Sequence, residues 1–255
     1  MQIITLSNQK GGVGKTTTAS VLASGLIIQN YKVLAIDLDP QSNFSLSCGI
    51  NVLECENTIY NVFRGEVNIN DVIIPTSLGY DVITGGLQLA MADMEFTKVG
   101  RENLLTKALK KLNNSYDYII IDTPPTLGIL TANALMASNG LIVPMSADMY
   151  SLQGLSQINS FLMDIRENGN SEIRLLGLLI TKFKGRENLS KSIVEEIESI
   201  ASKLNTKVFS SKIRESVAIR ENVAVQGNIF YESPKANATI DYKNFIDELL
   251  KDLEA

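Results

Sequence analysis

The sequence predicts a doubly wound α/β fold, a mainly parallel sheet flanked by helices, and three observations carry the prediction. Several segments read as continuous apolar runs: Ile3-Ile4-Thr5-Leu6, residues 32–37 (K-V-L-A-I-D) and residues 116–121 (Y-D-Y-I-I-I). Strands buried on both faces look like this, and a parallel sheet covered by helices buries both. These runs alternate with segments of helical period. Finally, polar clusters fall at the ends of the expected strands, where open parallel sheets hold ligands. A Gly-rich loop follows the first run, Asp37–Asp39 the second, and Asp122 the third.

Taken in order, residues 2–7 read as a buried strand and 16–29 as a helix with Ala19, Leu22, Ala23, Leu26 and Ile27 on one face. Residues 32–37 form the second strand, and short helices are expected at 42–48 and 58–64. A short strand at 80–83 precedes the Gly85-Gly86 turn, and a helix covers 103–112. The strand at 116–121, a helix at 130–137, a strand at 140–144, a helix at 152–167 and a strand at 174–181 follow. From Leu189 a helix places Ile193, Ile197, Ile200, Ala201 and Leu204 on one face. Residues 207–209 are expected as the last strand and 240–253 as the closing helix. No repeat or long linker divides the chain, so one domain over 1–255 is expected.

Composition narrows the chemistry. The chain has 255 residues and is 45% hydrophobic, with no apolar run long enough to span a membrane and no signal segment at its start. Cys48 and Cys55 fit neither a CxxC motif nor a disulfide framework, which points to a cytoplasmic location. There is no histidine, so acid–base work falls to carboxylates and any metal is expected to be Mg²⁺ on oxygen ligands. Net charge is −5, yet residues 178–243 hold eleven Lys/Arg against eight Asp/Glu, while the remainder holds twelve against twenty. A mildly basic C-terminal third on an acidic body suits a local phosphate-binding face as well as ordinary surface scatter.

The segment Lys10-Gly11-Gly12-Val13-Gly14-Lys15-Thr16-Thr17 lies between the first strand and the first helix. Backbone N–H groups of such a loop cradle phosphates, a lysine reaches the β/γ-phosphates, and a Thr hydroxyl holds Mg²⁺. Lys15 and Thr16 fill those places. The strict pattern G-x-x-x-x-G-K-[ST] is broken, because its first glycine falls at Gln9, and a second lysine, Lys10, stands at the loop mouth. The spacing G-x-G-x-x-G of a dinucleotide site is not supplied. Asp122 suits either the acid that supports Mg²⁺ or a cap on the next helix. Asp37 and Asp39 suit either a metal-supporting and a water-positioning carboxylate or the turn chemistry of Asp-Pro. Lys10 is either a solvated lysine or a charge offered to a nucleotide in a facing subunit, as an arginine finger is.

At these residues the chain resembles the ParA family of deviant Walker ATPases, within the wider group that includes MinD and the nitrogenase iron protein. K-G-G-V-G-K-T-T (10–17) matches the deviant loop with its signature lysine at Lys10, and D-L-D-P-Q (37–41) the second motif. I-I-I-D-T-P-P-T-L-G (119–128) with T-A-N-A-L (131–135) matches the Walker B and switch region. Y-S-L-Q-G-L-S-Q-I (150–158) and I-R-E-S-V-A-I-R-E (213–221) resemble later segments, the second near the adenine.

The resemblance implies P-loop architecture, with ATP, ADP after hydrolysis, and Mg²⁺ as ligands. Gly11, Gly12, Val13, Gly14, Lys15, Thr16 and Thr17 would bind the nucleotide, Thr16, Asp37 and Asp122 would serve the metal, and Lys10, Lys15 and Asp39 would act in hydrolysis. It further implies an ATP-bound homodimer with Lys10 acting in trans, slow turnover stimulated by a ParB-type partner, non-specific DNA binding and a nucleoid-associated location. DNA contacts are expected at Arg186, with Lys184, Arg220, Lys235 and Lys243 as further candidates; one arginine that serves some relatives is Ala218 here. The loop begins ten residues in, so no preceding helix-turn-helix domain and no site-specific DNA binding are expected. The alternative is a MinD-like positioning ATPase on a membrane. The chain from Ile240 has two lysines and five acids, which argues against an anionic-lipid anchor and for a core-packing helix.

Overall fold

The computed structural model describes residues 1–184 and 188–254. A seven-stranded sheet runs in the order β3-β4-β2-β5-β1-β6-β7. Its strands are β1 (Gln2–Leu6), β2 (Val33–Asp37), β3 (Ile73–Pro75), β4 (Asp81–Ile83), β5 (Tyr118–Asp122), β6 (Gly140–Ser146) and β7 (Arg174–Thr181). All neighbours pair in parallel except the edge pair of β3 and β4. The helices are α1 (Lys15–Ile28), α2 (Asn43–Ser47), α3 (Ile59–Arg64), α4 (Ala92–Glu95), α5 (Leu104–Leu109), α6 (Ile129–Ala137), α7 (Met149–Asn168), α8 (Asn188–Lys203), α9 (Val217–Val225), α10 (Ile229–Glu232) and α11 (Asn237–Glu254).

Strand side chains alternate between two faces, and each face has its own core. Ile4, Leu6, Val33, Ala35, Tyr118 and Ile120 face α1 and α11, where Leu22, Leu26, Phe245 and Leu249 close the layer. Ile3, Leu34, Ile36, Ile119 and Ile121 face α3, α5 and α6 through Ile59, Leu105 and Leu130. A third core joins Leu141, Val143, Leu178 and Ile180 to α7 and α8. Helix α1 buries residues all round, Ala19, Val21, Leu22, Ala23 and Leu26 among them. It is wedged between sheet, α2 and α11, so it lacks a polar face.

The doubly wound expectation holds, with differences of detail; helices α4, α9 and α10 are not among the expected elements, and three further points differ. Residues 207–209 do not form a strand: Val208 makes an isolated bridge to Leu178, and the chain then leaves the sheet. The antiparallel edge strand β3 is only three residues long, too short to show a period in the sequence. The closing helix begins at Asn237 and spends Phe245 and Leu249 on the core, as a packing helix does.

Register places the chemistry. Leu6 pairs with Asp122, and Asp37 also pairs with Asp122, so β1, β2 and β5 end level with one another. The Gly-rich loop, the Asp37–Gln41 loop and Asp122 therefore meet on one rim.

Candidate functional site

A cavity of about 730 Å³ opens on this rim. One end is walled by Gly11, Gly12, Gly14, Lys15, Thr16, Thr17 and Asp39; the other by Val21, Leu46, Ile219, Val223 and Ile229, with Asn222, Gln226 and Lys182 also lining it.

The Gly-rich loop owes its shape to backbone, not space. Gly12 and Gly14 sit at φ 73° and 82°, the left-handed region that disfavours a Cβ. A Cβ on Gly12 would meet nothing within 4 Å. Gly14 is the N-cap of α1, and no side chain caps that helix and no acid occupies its first turn. The first N–H groups of a buried helix need a partner, and the macrodipole favours an anion there. Val13 is held by Thr181, whose hydroxyl donates to its carbonyl oxygen at 2.8 Å.

Lys15 is only 7% exposed. Its Nζ donates to the Lys10 carbonyl oxygen at 3.4 Å. Burial pushes its ammonium pKa down, opposed by the nearby carboxylates of Asp122 and Asp39. Thr16 Oγ1 donates to Asp122 Oδ2 at 2.7 Å. Asp122 Oδ1 is buried and has no hydrogen-bond partner. Burial, and then the neighbouring Asp37 carboxylate, raise the Asp122 pKa well above the usual carboxylate range. A buried carboxylate oxygen with no donor, beside a threonine hydroxyl at a helix start, is the donor set of a hard cation. The helix-capping use of Asp122 is not what the structure shows, since α6 takes its cap from Asp93, whose Oδ1 accepts from Ile129 N at 2.8 Å.

Asp37 behaves differently although it is equally buried. Its Oδ2 accepts from Ser45 N at 2.9 Å and Ser45 Oγ at 2.7 Å, and its Oδ1 from Asp39 N at 3.1 Å. Burial pushes its pKa up to about 6, against the pull of those hydrogen bonds. With both oxygens engaged, it anchors α2 and supports the rim from behind. Asp39 Oδ1 accepts from Gln41 N at 2.9 Å, so turn geometry and site placement coexist in this loop. Asp39 lines the cavity and Asp37 does not.

Lys10 points neither at Lys15 nor away from the chain. It forms an ion pair with Asp148 and donates to Ser146 Oγ at 3.4 Å, at the end of β6. Asp148 resists burial and is held below its usual pKa by hydrogen bonds from Lys10 and Ser146. The DNA-contact candidates Lys184, Arg220, Lys235 and Lys243 are all exposed, the first just beyond β7, the others on α9, before α11 and on α11. Phe183 N donates to the Ile213 carbonyl oxygen at 2.9 Å, which draws the end of β7 towards the segment leading into α9. Arg186 lies outside the described residues.

Sequence reasoning did not single out Asp148, Lys182 or the apolar wall. Asp148 carries a local signal, an Asp three residues before Ser151 whose N–H it caps at 3.2 Å. The wall of Ile219 and Val223 lies within the 213–221 resemblance or just past it, but nothing in its pattern marks it as a pocket.

Comparison with known proteins bears on this arrangement. A family model described as an AAA domain matches residues 1–175. The sporulation initiation inhibitor protein Soj of Bacillus subtilis is 34% identical over 250 residues, 97% of this chain and 98% of Soj. The chain belongs to the ParA/Soj family of P-loop ATPases. The chromosome partitioning protein ParA of Myxococcus xanthus is 39% identical over 204 residues, covering 79% of this chain and 72% of that one. Among solved structures, a plasmid partition protein of Borrelia burgdorferi bound to AMPPNP superposes with TM-score 0.84 at 28% identity, over 98% of both chains. Cobyrinic acid a,c-diamide synthase from Mycobacterium smegmatis, with bound ADP and magnesium, gives TM-score 0.87 at 29% identity, over 100% of this chain and 96% of its own.

Proposed function

We propose that this chain is a DNA-partition ATPase, one domain over residues 1–255. It binds ATP with Mg²⁺ in the rim cavity and hydrolyses it to ADP and phosphate. The observation that carries the reading is the uncapped start of α1, where Lys15 and the Thr16–Asp122 pair stand in a cavity that Asp39 also lines. Partitioning rests on the family and its named members, Soj and ParA.

By residue, the N–H groups of the 11–17 loop and the Lys15 ammonium receive the phosphates. Thr16 and Asp122 would hold the cation, with Asp37 fixing the rim behind them. Bound Mg²⁺ would supply positive charge to the phosphate oxygens during transfer. Asp39, its Oδ1 tied to Gln41, orients the attacking water and takes up its proton. The apolar wall receives the base. Lys10 serves a second copy of the chain in an ATP-bound homodimer, and its pairing with Asp148 in the single chain must then open. The exposed cations Lys184, Arg220, Lys235 and Lys243, with Arg186, contact DNA phosphates without reading sequence. A ParB-type protein stimulates turnover, and the protein is cytoplasmic and nucleoid-associated.

No described helix is long and apolar enough to cross a membrane, and the apolar face of α11 is occupied by the core. The test is DNA retention with ATP, with ADP and without nucleotide, each at low and high salt. Binding that needs ATP and falls steeply with salt is expected. Equal binding in all three states, or ATP-dependent co-flotation with anionic vesicles in its place, would contradict the partition reading.

A further inference from the structure

We propose that Lys182 is a nucleotide-binding residue of this cavity, a cation that offsets phosphate charge present in both ATP and ADP. The inference rests on the nucleotide reading of the cavity and adds to it a residue that the Gly-rich motif does not contain.

Lys182 lines the same cavity as Gly14, Lys15 and Thr17. Its backbone is fixed on both sides. Before it, Thr181 ends β7 and donates to the Val13 carbonyl oxygen of the phosphate loop at 2.8 Å. After it, Phe183 N donates to the Ile213 carbonyl oxygen at 2.9 Å, in the segment that leads into α9 and the apolar wall. Lys182 therefore stands between the phosphate end and the apolar end. The chain turns there through φ 51°, a left-handed conformation that a lysine adopts at a cost. Non-glycine residues held in this region gather at functional sites, where the surrounding structure over-determines them.

Charge points the same way independently of the backbone. The ammonium of Lys15 is committed to the Lys10 carbonyl oxygen, and that of Lys10 to Asp148. Among the described residues, no carboxylate lies within ion-pairing distance of Lys182. An exposed lysine has four carbons of reach and, among the described residues, no competing carboxylate, on a backbone pinned to the phosphate loop. Arrival of a polyphosphate beside it brings an anion to that cation. Because Lys182 stands between loop and apolar wall, the phosphates it meets are those retained in ADP. Its contribution is therefore to affinity for both nucleotides, distinct from the role of Asp39 in hydrolysis.

The test measures equilibrium binding of ADP and of ATP, with Mg²⁺, to wild type, Lys182→Met, Lys182→Gly and Lys182→Arg, with urea unfolding of each as a control. Lys182→Met keeps length and removes charge; Lys182→Gly removes charge and relieves the left-handed backbone. Both should weaken ADP and ATP alike by about tenfold. Lys182→Arg should restore most of the loss. Lys182→Gly should unfold at the same urea concentration as wild type or a higher one, which separates lost charge from lost fold. Wild-type affinity in Lys182→Met, or a loss confined to ATP, would overturn the proposal while leaving the nucleotide reading in place. Failure of the wild type itself to bind either nucleotide would overturn both.

Discussion

The two ends of the cavity are built in opposite ways. At the phosphate end, charged side chains are locked inside the sheet: Asp37 and Asp122 are fully buried, and Lys15 and Asp39 are 7% and 8% exposed. Each is held by strand register, a helix start or a tight loop. The apolar end is closed by α9, a helix with no buried residue, whose Val217, Val223 and Val225 are roughly half exposed or more. Buried charge is expensive unless a partner arrives, so the phosphate end is poised for a ligand and intolerant of change. The exposed helix opposite buries little area and can shift at small cost. Rigid chemistry at one end and an adaptable wall at the other is a division suited to a nucleotide switch.

Substitutions at the two ends should separate them. Lys15→Ala should have the largest effect, lowering ATP affinity by at least about a hundredfold in a calorimetric titration, because no other group shown in the loop can replace its buried charge. Asp122→Asn should raise the stability of the nucleotide-free protein by about 2 kcal/mol in denaturant melts, since it removes a buried carboxylate whose Oδ1 has no donor. The same variant should lose the Mg²⁺ dependence of ATP binding. Val223→Asp places a carboxylate in the apolar wall. It should weaken nucleotide binding by about tenfold and change stability by less than about 0.5 kcal/mol, as a surface position does. If Val223→Asp were as damaging to folding as to binding, the wall would not be adaptable.

The smallest effect is a pH dependence. Asp148 has its folded pKa below the unfolded value. Its stabilisation is therefore present above the unfolded pKa, near 4, and is lost as pH falls through the folded one. Asp148→Asn should lower stability modestly at neutral pH, where that contribution is present, and flatten the fall in the acid range, so that the two proteins converge in thermal melts below the folded pKa.

The same contrast explains what could be read from the sequence. The phosphate end is written in contiguous residues: a lysine and a threonine after glycines, and acids closing apolar runs. Strand order alone brings these together, since β5 lies between β1 and β2. The apolar end draws on Leu46 from α2 and Ile219 and Val223 from α9, residues far apart in the chain with no shared local pattern. Lys182 looked like one of many C-terminal cations until the left-handed turn at the end of β7 placed it on the cavity wall. The cap on α6 comes from Asp93, 36 positions before Ile129, which no local motif could announce. Residues 207–209 read as a strand because Val208 is β-branched and Phe209 aromatic, but packing of Phe209 against Phe245 and a single bridge at Val208 satisfy them without a ladder.

On the proposed function, one carboxylate in this cavity serves hydrolysis while the loop serves binding. Asp39→Asn separates the two roles, because an amide oxygen can still accept from Gln41 N and keep the turn. Equilibrium binding of ATP and single-turnover hydrolysis should be measured on the same preparation. Affinity within about threefold of wild type with turnover reduced at least about a hundredfold is the predicted result. Turnover at the wild-type rate, or binding lost together with turnover, would contradict it.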